Sequence, residues 1–119
     1  MFKRLFGGED TAGAGGAPDA TTVDVVQARA LQEGGAQLID VRQPDEFAAG
    51  HARGARNIPL DQLANRIGEV DRAGTVLVIC QSGNRSKVGR DLLARQRVAD
   101  VRNVAGGAKA WRAAGLPLA

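Results

Sequence analysis

The sequence predicts an α/β domain: a central, mostly parallel five-stranded sheet flanked by helices on both faces. Three observations point there. Short apolar runs alternate with stretches of helical periodicity along most of the chain. The run at residues 75–80, TVLVIC, is apolar at both parities, as a strand covered on both faces must be. Gly34, Gly35, Pro44, Gly50 and Pro59 fall where one pattern gives way to the next.

Residues 7–20, GGEDTAGAGGAPDA, show no apolar periodicity and too little apolar surface to offset the entropy of ordering. Residues 1–20 are therefore expected to be a flexible lead-in, with the folded domain at 21–119. After a short β-prone piece at Thr21–Thr22–Val23, Val25, Ala28 and Leu31 recur at helical spacing until Gly34. AQLIDVR reads as a buried strand, QPDEFAAG as a short helix from Pro44 to Gly50, and GARNIPL as a short strand closed by Pro59. In LDQLANRIGEV, Leu60, Leu63 and Ile67 predict one helix. TVLVIC is the central strand. RSKVGRDLLARQ predicts a helix with Val88 and Leu92 on its inner face. DVRNV is the last strand and GAKAWRAAG the last helix.

At 119 residues the chain suffices for one domain with a real core and is too short for two. Aromatics are 3% of the residues and Tyr is absent, so Val, Leu, Ile and Ala must build that core. One cysteine excludes an internal disulfide, and one histidine leaves no zinc set, so no metal or other cofactor is expected. A net charge of +3 fits an Arg-rich soluble surface better than a nucleic-acid interface, because no aromatic-interleaved basic face accompanies it. MFKRLFGG is too short for a signal core or a membrane span, which points to a cytoplasmic, reducing location. A monomer is expected.

Cys80 ends the central strand, where open α/β sheets bind ligands. The loop that follows, QSGNRS, leads straight into a helix whose first N–H groups lack internal partners and whose dipole favours an anion. Gly83 and Asn84 are residue types that tolerate positive φ, and Arg85, Lys87 and Arg90 make the surroundings basic. Most free cysteines are small buried hydrophobes, and Cys80 alone would be read so. With this loop and helix behind it, the residues favour a thiolate of lowered pKa and raised nucleophilicity.

The pieces LIDVRQPDEFAAGHARGARNIPL, CQSGNRS and NVAGGAKAWRAAGLPL, in this order and spacing, resemble the rhodanese homology domain across residues 21–118. The resemblance implies a cysteine that takes a sulfane sulfur from a small donor such as thiosulfate, holds it as a persulfide, and passes it to a thiol, cyanide or protein acceptor. By that resemblance Cys80 is the nucleophile, and the backbone of Gln81, Ser82, Gly83, Asn84, Arg85 and Ser86 forms the persulfide loop. Arg85 is expected to meet the donor's sulfonate end, with Lys87 a weaker candidate, and Asp40 and Arg42 to support the rim by an ion pair or hydrogen bond. Only four residues separate Cys80 from Arg85, one fewer than in cysteine-dependent phosphatases with a similar loop. The resemblance therefore favours sulfur transfer over phosphatase or arsenate reductase activity. A persulfide relay between proteins, with the MFKRLFGG lead-in as a docking segment, and a non-catalytic binding module are the alternatives.

Other tempting residues have plainer readings. His51, the one histidine, suits a structural hydrogen bond better than acid–base work. Asp45 and Glu46 suit the start of a helix rather than a catalytic pair. Gly106–Gly107 lacks the Lys-Ser/Thr of a phosphate loop and reads as a tight turn. Trp111 reads as a core residue. Two departures from the family pattern bear on local geometry: Ala52–Arg53 is expected to loosen its turn, and ARQRVADV lacks a glycine to end the preceding helix.

Overall fold

The computed structural model describes residues 21–119; the lead-in expected at residues 1–20 lies outside them. Five strands form one sheet: β1 (Thr22–Val23), β2 (Gln37–Asp40), β3 (Arg56–Asn57), β4 (Thr75–Ile79) and β5 (Asp100–Val104). Their spatial order is β1-β5-β4-β2-β3, with all four pairings parallel. The α-helices are α1 (Val25–Glu33), α2 (Pro44–Ala48), α3 (Leu60–Leu63), α4 (Asn84–Arg95) and α5 (Gly107–Ala113). Asp24 starts α1 with a reciprocal cap: its carboxylate accepts from Gln27 N–H, and Gln27 Oε1 accepts from Asp24 N–H.

Alternation along β4 divides the core into two layers. Val76, Val78 and Cys80 pack with Ile39, Val41, Leu63 and Leu93, on the face covered by α3 and α4. Leu77 and Ile79 pack with Val25, Ala28, Val104 and Trp111, on the face covered by α1 and α5. Trp111 is fully buried, and its Nε1 donates to the Pro117 carbonyl at 2.7 Å, so the large ring leaves no orphan donor in the core.

Three local expectations are corrected. Leu60–Leu63 is one α-helical turn that passes into a 3₁₀ stretch, Ala64–Glu69, rather than one continuous helix. Arg66 leaves helical geometry at φ −115°, with its guanidinium on Glu69. On α4 the buried face is Ser86, Gly89 and Leu93, whereas Val88 is 53% exposed and Leu92 only half-buried. The helix lies so close to the sheet that a Cβ on Gly89 would come within 3.2 Å of Val78 Cγ1, so small residues rather than aliphatic ones define the contact. The end of α4 is sharp despite the missing glycine. Arg97 itself turns left-handed at φ 69°, and the Val98 N–H donates to the Leu93 carbonyl.

The turn after Gly50 is also not loosened. Ala52 is buried and forms an antiparallel bridge with Leu118, and Arg53 N–H donates to Pro117 O at 2.9 Å. His51 stacks on the Phe47 ring at 3.6 Å between centroids, and its Nδ1 donates to the Phe47 carbonyl at 2.8 Å. The imidazole has a structural role.

Candidate active site

Strand register assembles the site. Asp40 pairs with Ile79 on one side and Asn57 on the other, so the ends of β2, β3 and β4 stop level with one another. Cys80 follows Ile79 directly, and the loop of residues 80–83 turns into α4. Gly83 makes the turn with φ 105°, a conformation costly for any residue with a Cβ, and that Cβ would meet the Gly106 nitrogen at 3.3 Å. Asn84 needs no such freedom, because it is already the first residue of the helix.

Cys80 is 1% exposed, and its Sγ sits inside the turn. Gly83 N–H donates to it at 3.1 Å, and Ser86 Oγ lies 3.3 Å away. Burial alone would push the thiol up. The Ser86 hydroxyl and the backbone N–H groups of Ser86, Gly83 and Ser82 outweigh it and leave Cys80 below the ordinary thiol value. Ser86 Oγ also lies 2.5 Å from Asn103 Oδ1, and its single proton goes to that oxygen when Cys80 is a thiol and to the sulfur when Cys80 is a thiolate.

The far side of the loop is gripped by α5. Ala108 N–H donates to the Cys80 carbonyl at 2.7 Å and Lys109 N–H to the Gln81 carbonyl at 3.1 Å. The loop's N–H groups thus face the sulfur while two of its carbonyls are tied to the next helix. Gly106 and Gly107, at φ 80° and 62°, bring α5 this close. They form the tight turn read from the sequence, and they also buttress the cysteine loop.

Asp40 and Arg42 form a buried pair beside the loop. Arg42 Nη2 donates to Asp40 Oδ2 at 2.9 Å and Nε to both carboxylate oxygens at 3.1 Å. Nη2 also reaches the Gly50 carbonyl, and Nη1 stands 3.5 Å from Gln81 Oε1, so the pair links the strand ends to the loop. Asn57 Nδ2 donates to the carbonyls of Asp40 and Arg42 and fixes the backbone between them.

Arg85 does not point unaccompanied to the mouth of the loop. It makes a bidentate pair with Glu46, at 2.7 and 2.9 Å, and so ties α4 to α2. Lys87 stands on α4 and lines a groove shared with Ser82, Asn84 and Asn103. Gln81, Ser82 and Asn84 are exposed on the outside of the loop. Sequence reasoning missed three residues: Glu46, read only as a helix-start charge; Asn103, a polar residue in an otherwise ordinary strand; and Gly107 as a loop support.

Glu46 carries a pH dependence. Hydrogen bonds from Arg85 outweigh burial and, with the Gln43 N–H, hold its carboxyl at about 2. A carboxyl lowered on folding stabilises fully above its unfolded value, about 4.3, and that contribution is lost as pH falls toward the folded value. Between about pH 6 and about pH 3 the Glu46→Gln protein should lose about 1 kcal/mol less unfolding free energy than the wild type, a figure reduced for solvent screening. Urea titrations at the two pH values measure this, and equal losses would show the pair to be inconsequential.

The fold and site together define a parallel α/β domain that presents a cysteine of lowered pKa at a strand end, in a loop of converging N–H groups. The family model for the rhodanese-like domain matches residues 22–114, and the chain belongs to that family. It is 38% identical over 86 residues to thiosulfate sulfurtransferase GlpE of Pseudomonas aeruginosa strain LESB58, spanning 72% of this chain and 78% of that protein. Among solved structures, a rhodanese-related protein from Thermoplasma volcanium superposes with a TM-score of 0.75 at 26% identity, covering 82% of this chain and 96% of that one. The human single-domain sulfurtransferase TSTD1 superposes with a TM-score of 0.71 at 29% identity, covering 80% and 97%. Among the described residues no helix is long and apolar enough to cross a membrane.

Proposed function

We propose that this chain is a sulfurtransferase that moves a sulfane sulfur from a donor such as thiosulfate to a thiol or cyanide acceptor through a persulfide on Cys80. The observation that carries the reading is Cys80 Sγ held by Gly83 N–H and Ser86 at the start of α4. The Cys80 thiolate attacks the outer sulfur of thiosulfate, and sulfite leaves with the electron pair of the broken S–S bond. The loop N–H groups stabilise the resulting persulfide anion. An acceptor thiolate or cyanide then attacks the outer sulfur and returns Cys80 as thiolate. No general base is needed, because neither displacement requires a proton transfer. A cysteine only 1% exposed admits a slender sulfane end more readily than a phosphoryl group with its ring of oxygens, which supports sulfur transfer over phosphatase chemistry. Gln81, Ser82, Gly83, Asn84, Arg85 and Ser86 form the persulfide loop, Asp40 and Arg42 brace it, and the domain works as a monomer in the cytoplasm.

Mass spectrometry after thiosulfate treatment should show one added sulfur, removed by cyanide and absent in Cys80→Ser. An unmodified wild-type protein would sink the mechanism. A protein acceptor in place of a small thiol fits the exposed outer face of the loop, where the side chains of Gln81, Ser82 and Asn84 form no part of the sulfur's own hydrogen-bond set.

A further inference from the structure

Beside the cysteine loop, a groove of about 520 Å³ runs between the start of α4 and the ends of β1 and β5. Its walls carry Ser82, Asn84, Lys87 and Arg90, with Asn103 at its floor. Cys80 does not line it. Asn103 is fully buried, and its Nδ2 is the one buried side-chain polar atom among the described residues without a hydrogen-bond partner. A buried amide donor left unmade costs about 1–3 kcal/mol, and an acceptor in the groove would recover it. Arg90 is fixed against Thr21 and Thr22 and ion-paired with Asp91, whereas Lys87, the other cation of the groove, makes no ion pair with any described residue.

We propose that this groove binds a small oxyanion through the Asn103 amide and the Lys87 ammonium, and that the bound anion holds Cys80 in its thiol form. The link is the chain Asn103–Ser86–Cys80, with heavy-atom distances of 2.5 and 3.3 Å. With Ser86 donating to Asn103 Oδ1, the hydroxyl has no proton for the sulfur, and the thiol donates to Ser86 instead. A thiolate or persulfide anion needs the reverse order. Ser86 then donates to the sulfur and accepts from Asn103, which must rotate its amide and turn Oδ1 into the groove. An oxyanion there is bonded by Nδ2 and repelled by Oδ1, so it favours the first arrangement, and its charge opposes the thiolate in the same sense. The other charged groups near Cys80 are paired: Arg85 with Glu46, and Arg42 with Asp40. Asn103 is a positioning residue in this scheme. Sulfite released by sulfur transfer and inorganic sulfate or phosphate share the required chemistry.

The binding half does not depend on Cys80 as sulfur carrier, and only the consequence for catalysis rests on that reading. Sulfite, sulfate and phosphate are titrated separately into the Cys80→Ser protein at matched ionic strength, with the Asn103 side-chain amide followed by NMR. A saturable shift of that resonance is expected, weakened at least about fivefold in Lys87→Gln. A response to sulfite alone assigns the site to the reaction product, and equal responses assign it to inorganic oxyanions in general. No shift, or the same shift with chloride, overturns the site. In the wild type, saturating anion should slow alkylation of Cys80 by iodoacetamide at neutral pH by about three- to tenfold, and the response should be lost in Lys87→Gln. Binding without any change in alkylation rate overturns the coupling. Failure of persulfide formation with thiosulfate would refute the sulfurtransferase reading and leave the groove result standing.

Discussion

Gly107→Ala is expected to destabilise the fold by at least about 3 kcal/mol, combining left-handed strain with two lost hydrogen bonds. Gly107 has φ 62°, and a Cβ there would overlap the carbonyl oxygens of Cys80 and Gln81. Both obstacles are backbone, so relief requires α5 to move off the loop. That movement breaks the Ala108 and Lys109 N–H contacts that orient the two carbonyls. Gly115 is the control: its φ is 71°, yet a Cβ there would meet nothing within 4 Å, so Gly115→Ala should cost only about 1 kcal/mol. Persulfide formation in Gly107→Ala should fall at least about tenfold, measured well below its unfolding temperature. Equal stability losses in the two variants would show that the close approach of α5 is not what matters.

Arg42→Met should cost about 3–5 kcal/mol, because it strands the Asp40 carboxylate in a site from which water is excluded. The two side chains are only 5% and 1% exposed, so solvent cannot replace the guanidinium. Adding Asp40→Asn should recover more than half of that loss, since the remaining amide carries no uncompensated charge. Urea unfolding of the two proteins measures both numbers. A loss under about 1 kcal/mol in the single variant would mean that the pair behaves as a surface salt bridge. The gap left beside Gly50 and Gln81 should also slacken the near side of the cysteine loop.

The order of strands and helices was legible because it follows from local chemistry: apolar runs at β2 and β4, Val25, Ala28 and Leu31 at helical spacing in α1, and Pro44 at the start of α2. The cysteine loop was legible for the same reason, since strand, glycine turn and helix are consecutive. What was hidden depends on contacts across the fold. Glu46 and Arg85 are 39 residues apart, and no periodicity links them. Asn103 looks like any polar strand residue until α4 lays Ser86 against it. The inner face of α4 was misread because close packing selects Gly89 and Ser86, which a search for apolar periodicity passes over. Arg97 hid the helix end by adopting the backbone of a glycine.

The opposed grip of α4 and α5 separates what the loop does electrically from what it displays. The sulfur is served by the Gly83 N–H and by Ser86, both buried, and the loop is fastened by the carbonyls of Cys80 and Gln81. Gln81, Ser82 and Asn84 turn their side chains outward and hold none of those positions. Reactivity therefore rests on the main chain and the buried Ser86 hydroxyl, while the outward side chains of Ser82 and Asn84 make no contact with the sulfur. The outer surface of such a loop can vary by substitution without retuning the thiol.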